Sequence, residues 1–122
     1  MNFFEKDQRT ALEAQAHAQF IAFGPVVFQV ARAMRNFGIL EQIGKARSTG
    51  LSLEEIARGT GIHPYGVWVL LEASLGIGLV TSKEGKYFLA KTGYFILHDP
   101  LTRINMDFVH DVCYKGLFDL DK

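Results

Sequence analysis

A chain of 122 residues is near the usual size of one domain, so a single core is expected and no second globular unit. Thirteen Lys and Arg balance thirteen Asp and Glu, which removes the broad positive field that nucleic-acid or anionic-membrane binding ordinarily needs. An apolar fraction of 48% with ten Phe exceeds what one small core requires, a single Cys113 cannot staple the chain, and no run of about 18 apolar residues offers a membrane span.

Met1 to Arg9 carries Glu5, Lys6 and Asp7 and has no signal-peptide core, so a cytoplasmic, reducing setting is expected. Lys6 to Phe23 reads as a helix, since Leu12, Ala16, Gln19, Phe20 and Phe23 recur at helical spacing among charged or small residues. Its many Ala residues favour helix and would let another helix approach closely. Gly24-Pro25 breaks the run and restarts it. The second helix, Val26 to Phe37, has so little polar surface beyond Gln29, Arg32, Arg35 and Asn36 that most of it should be buried. Ile39, Leu40 and Ile43 continue as a short helix ending around Gly44, and Ser48-Thr49-Gly50 is a loop.

Ser52 ahead of Leu53-Glu54-Glu55 places a capping hydroxyl and two carboxylates at a helix N-terminus. That helix stops near Gly59-Thr60-Gly61, and His63-Pro64 opens another that runs to about Leu75 and closes at Gly76 or Gly78. Two helices around a Gly-containing turn make a helix-turn-helix. Leu79 to Thr81 and Tyr87 to Ala90 read as two short strands joined by the polar loop Ser82 to Lys86, a wing. A short helix from Thr92 leads to the Asp99-Pro100 break, and a last helix covers Arg103 to Phe118. The fold class is therefore mainly α: a winged helix-turn-helix with a small two-stranded β wing and extra N- and C-terminal helices.

A winged helix invites a DNA-binding reading, because its second helix can enter the major groove. His63 to Leu75 contains no Lys, Arg, Asn or Gln to reach bases and phosphates. Val67, Leu70, Leu71 and Ser74 share one face and would point to the core, while Tyr65, Trp68, Val69 and Glu72 fall on another. Either a protein partner covers Trp68 or it sits in the domain's own core. A dimeric winged-helix transcriptional regulator binding DNA is the alternative from another class.

The order of elements and several local motifs resemble the N-terminal domain of the O-methyltransferase family, which includes plant flavonoid and bacterial antibiotic-tailoring enzymes. The stretches that carry the resemblance are Phe37 to Ile43, Leu51 to Ala57, Gly61 to Tyr65, Leu75 to Val80 and Tyr87 to Gly93. It implies an intertwined homodimer, with residues 1–24 a dimer-swapping helix and Phe20, Phe23, Phe28, Met34 and Trp68 at the interface. It also implies a separate C-terminal Rossmann-like domain that binds S-adenosylmethionine and a small-molecule acceptor, with residues 101–122 starting the connection to it. In the family the helix after the wing helps line the substrate pocket, which places Phe108, Cys113 and Tyr114 as substrate-lining candidates, with core and interdomain packing as their plainer reading.

No strand followed by a glycine-rich turn occurs in the chain, and Gly76-Ile77-Gly78 precedes a strand, so it reads as a helix stop. Gly116 to Lys122 carries three apolar side chains without a closing motif, which suggests a piece of a longer protein, a natural short protein being the alternative. His17, His63, His98 and His110 are scattered without metal-ligand spacing. Asp107, His110 and Asp111 share a helical face that reads as solvated, and Cys113 between Val112 and Tyr114 reads as an inert thiol. No catalytic, cofactor-binding or metal site is expected in this chain, and no nucleic-acid or membrane partner.

Overall fold

The computed structural model describes residues 4–122; Met1, Asn2 and Phe3, the first part of the expected swapping segment, lie outside the described residues. Helix α1 (Ala11–Ala22) starts where Thr10 and Glu13 close a capping box. The Thr10 hydroxyl accepts from the Glu13 amide at 3.1 Å, and the Glu13 carboxylate accepts from the Thr10 amide at 2.9 Å. This box corrects the expected start at Lys6, because it fixes the N-terminus after Arg9. Helix α2 (Gly24–Asn36) holds Pro25 in its first turn and takes in Gly24 as well. Helix α3 (Ile39–Ala46) runs past Gly44, and a 3₁₀ turn at Arg47–Thr49 occupies the expected loop.

Helix α4 (Leu53–Thr60) is capped as its sequence predicts: Ser52 and Glu55 form a second reciprocal box at 3.2 and 3.0 Å. Helix α5 (Pro64–Ile77) runs two residues beyond Leu75. Gly78 and not Gly76 is the stop, since the amides of Gly78 and Leu79 both donate to the Ser74 carbonyl at 3.0 Å. Strands β1 (Val80–Lys83) and β2 (Lys86–Leu89) pair antiparallel, Val80 opposite Leu89 and Lys83 opposite Lys86. The loop is therefore only Glu84-Gly85, both at positive φ (53° and 74°), and not the five residues expected. Leu51 adds a bridge to the sheet by exchanging two backbone hydrogen bonds with Tyr87 at 3.2 and 2.8 Å.

Helix α6 (Lys91–His98) lies against the wing at glycine distance, because a Cβ on Gly93 would run into the Leu79 carbonyl oxygen. Helix α7 (Pro100–Phe108) starts earlier than the expected Arg103: the Asp99 carboxylate accepts from the Thr102 amide at 3.3 Å and its hydroxyl at 2.6 Å. The expected continuous helix to Phe118 is also corrected. A π-helical turn at Val109–Cys113 interrupts it before α8 (Tyr114–Leu117).

The core gathers where α2, α3, α4, α5 and the wing meet, around the fully buried Met34, Ile39, Leu40, Ile43, Ile56 and Leu71. Each such side chain contributes roughly 1.5 to 3 kcal/mol. The chain is a mainly helical winged helix, as its sequence predicts. The expected burial of most of α2 does not hold within one chain, where only Ala31, Met34 and Arg35 are buried. One face of α2 suffices to meet α3 and α5, which leaves Val26 in water and Phe28 and Val30 half-buried.

Candidate interaction surfaces

Helix α1 buries none of its residues, and its large apolar side chains are spread around it rather than gathered on one face. Leu12, Phe20 and Ile21 are exposed on it, and Phe23 and Val26 extend the apolar surface into α2. Phe28 is half-buried and stacks on Tyr114, with ring centroids 5.6 Å apart. Met34 differs from the other expected interface residues. Its side chain is fully enclosed within its own chain, whereas the others keep exposed or half-buried surface.

Helix α5 divides its faces as its spacing predicts: Val67, Leu71 and Ser74 are buried, Leu70 is half-buried, and Tyr65, Trp68, Val69 and Glu72 face outward. Trp68 is 47% exposed and packs near Tyr65, with centroids 6.0 Å apart, so it is not a core residue of this chain. On the wing, Lys83 is exposed while the Lys86 ammonium lies 3.7 Å from the Glu55 carboxylate. The Ser52 amide and hydroxyl, with Lys86 beside them, hold the Glu55 carboxyl below the usual carboxylate range. Desolvation, with Glu72 and Glu54 nearby, pushes the Tyr87 phenol up.

Helix α7 is two-faced. Met106 is buried and Asp107 meets Arg35, whose guanidinium donates to the carboxylate at 2.9 Å. On the other side Leu101, Ile104 and Phe108 form an exposed stripe at helical spacing, which Val112 extends into the π-helical turn. The three substrate-lining candidates part company here. Phe108 lies on the outward stripe, Cys113 is a half-buried free thiol, and Tyr114 turns inward to Phe28. The Tyr114 ring borders an open groove of about 400 Å³ lined by Pro25, Val26, Gln29, Val30 and Leu70. It also borders a second, of about 340 Å³, lined by Pro25, Leu117 and Phe118.

The remaining polar groups have local tasks. The His63 ring accepts from the Tyr65 amide at 3.1 Å as the cap of α5, His98 packs against Tyr94 with the rings tilted by 53°, and His110 sits 2.9 Å from Asp111. Among the described residues, no three His, Cys, Asp or Glu gather to hold a metal ion. Gly76-Ile77-Gly78 does not fit S-adenosylmethionine. The Gly78 and Leu79 amides are spent on closing α5, so no cradle of free N–H groups opens a helix there. Missed from the sequence is the Arg35–Asp107 pair, which joins residues 72 positions apart and has no local signal. No described helix is long and apolar enough to cross a membrane.

Residues 15–87 match the Dimerisation2-like domain, a span that takes in most of α1 and runs through the helix-turn-helix into β2. Among solved structures, a crystal structure of the S-adenosylmethionine-dependent methyltransferase SibL in its apo form superposes with a TM-score of 0.69 at 24% identity. The superposition covers 82% of this chain and 30% of that one, so the chain spans less than a third of that protein's length. No curated protein matches the chain by sequence. The family match bears out the resemblance read from the sequence, and the solved structure shares the fold.

Proposed function

Because the chain belongs to the Dimerisation2-like domain family, we propose that it pairs two subunits of an S-adenosylmethionine-dependent small-molecule methyltransferase and supplies one wall of the acceptor pocket. The observation that carries this is α1, a helix with Leu12, Phe20 and Ile21 in water and no buried residue. A short helix of this kind is marginal alone and gains its stability by burying an apolar face. A second copy of the chain provides that cover, with Phe20, Phe23 and the exposed part of Phe28 at the contact and Trp68 near it.

The exposed stripe of α7 lies beyond residues 15–87 and is the surface we assign to a catalytic domain of the same polypeptide, residues 101–122 leading toward it. S-adenosylmethionine belongs to that domain, and this chain's part is to position an acceptor and exclude water. The outward side chains of α5 support a polypeptide neighbour over a phosphate backbone, and a cytoplasmic setting fits the single free thiol. Light scattering across a concentration series tests the pairing. Wild type is expected to be a dimer, and a Phe20→Glu, Ile21→Glu double variant a monomer, since burying charge at an apolar contact costs about 2 kcal/mol or more. A wild-type chain that stays monomeric at high concentration overturns the reading.

A further inference from the structure

The segment after α7 is held unevenly. Up to Asp107 it is anchored by the Asp99 cap, the buried Met106 and the Arg35 ion pair. From Lys115 to Lys122 every residue is exposed. Between the two stretches lies the π-helical turn Val109–Cys113, whose last residue, Cys113, stays in the right-handed helical region with a widened φ of −101° and ψ of −31°. The first side chain of α8 reaches back to the body. Tyr114 stacks on Phe28 at 5.6 Å with planes 22° apart, and its hydroxyl donates to the Pro25 carbonyl at 3.3 Å. The same ring is the wall shared by the two grooves beside Pro25.

We propose that Tyr114 is a latch and the π turn its hinge: release of the ring from Phe28 and Pro25 swings α8 off α2 and joins the two grooves into one trough over Val26, Gln29 and Leu70. The physical ground is an imbalance of restraints. A carbonyl in the first turn of a helix already has an intrahelical partner, so the long bond from Tyr114 is a second, weaker one. The stack is made by half-buried rings, whereas the Arg35 guanidinium on the other side of the hinge is shielded from water. π turns within helices mark places where the backbone bends, and a hinge needs only a few residues that absorb the change. This device stands apart from the methyltransferase reading, since it concerns how α8 is held on α2 whatever lies beyond it.

Hydrogen exchange read by mass spectrometry on the full chain tests it. Amides 109–118 are expected to exchange about tenfold faster than 101–108 in wild type, as a separate opening unit. Tyr114→Ala should speed 109–118 by about a further tenfold while 101–108 and α5 stay as in wild type, and Tyr114→Phe, which keeps the ring, by about threefold. Unchanged α5 amides in the same experiment establish that the variants fold. Equal acceleration of both blocks, or none in 109–118, overturns the latch. Binding of anilinonaphthalene sulfonate should rise in the order wild type, Phe, Ala, and no rise in Tyr114→Ala overturns the shared-wall part.

Discussion

Arg35 of α2 and Asp107 of α7 form an asymmetric ion pair: the arginine side chain is 5% exposed, the aspartate 47%, and they meet at 2.9 Å. The guanidinium also donates to the Asn36 side chain at 3.0 Å and faces the Met106 sulfur. A shielded cation depends on its partner more than a half-hydrated carboxylate does. The pair is thereby a tie between the dimerisation body and the last helices.

The two partners should not be equivalent under mutation. Asp107→Ala leaves a shielded guanidinium with one neutral acceptor and is expected to cost about 2 kcal/mol, below the full cost of a wholly buried pair because water reaches the carboxylate side. Arg35→Met keeps the volume and frees a carboxylate that water can solvate, at about 1 kcal/mol or less. Urea unfolding checks the order, and an Arg35→Met loss larger than that of Asp107→Ala would reverse the reasoning.

Acid stability should follow the two capping boxes. Bonds from Ser52 and Thr10 hold the folded-state carboxyls of Glu55 and Glu13 below their ordinary value. A depressed folded pKa gives stability that is present above the unfolded value and lost as pH falls through the folded one, so the loss begins below about pH 5. Glu55→Gln keeps a capping acceptor and removes the titration, so its melting temperature should fall less steeply from pH 5 to pH 3 than that of wild type. At the alkaline end the sign is opposite. Tyr87 is raised by desolvation, so its contribution holds below the unfolded value and declines as pH rises through the folded one, above about pH 10. Tyr87→Phe should flatten that limb.

The helix-turn-helix was legible because Ser52, Glu55 and Pro64 are local signals that act within one turn of the chain. Other features needed the tertiary structure or a rule applied more strictly. The Asp99-Pro100 pair reads as a break and is in fact an N-cap with Pro at the first helical position. The wing loop reads as too long because Glu84 takes a positive φ usually left to Asn or Gly, and because Lys83 and Lys86 look like loop residues but pair at the end of a hairpin. The π turn at Val109–Cys113 has no residue-type signature. Met34 and Phe28, six positions apart on α2, look alike in sequence; only the packing of α3 and α5 decides that one is enclosed and the other half-open.

Gly93 sets how closely α6 approaches the wing. A Cβ there meets the Leu79 carbonyl oxygen, a backbone atom, and Leu89 Cδ1 at 2.8 Å. The same carbonyl accepts from the Ala90 amide at 3.0 Å, so it cannot retreat freely. Gly93→Ala is expected to destabilise by about 1 to 3 kcal/mol through overpacking, against the helix propensity it gains. Gly116→Ala, where a Cβ meets open space, is the control and should be neutral or slightly stabilising. Similar unfolding midpoints for the two variants would show that α6 yields at no cost.

Trp68 is the chain's one tryptophan, so fluorescence reads the outer face of α5 without labelling. Half-exposed beside Tyr65 in a single chain, it should emit at long wavelength when the protein is monomeric. If the pairing surface reaches from α1 and α2 to α5, raising the concentration through the dimerisation midpoint dries the indole and shifts its emission to the blue. Trp68→Ala should then weaken association by about 2 kcal/mol, as truncation of a central aromatic does, and cost the isolated chain under about 1 kcal/mol. Leu71→Ala, one turn away on the buried face, should do the opposite, with a folding loss of about 2 to 5 kcal/mol. An emission maximum that stays fixed while light scattering reports a dimer would place Trp68 outside the interface and confine the contact to α1 and the start of α2.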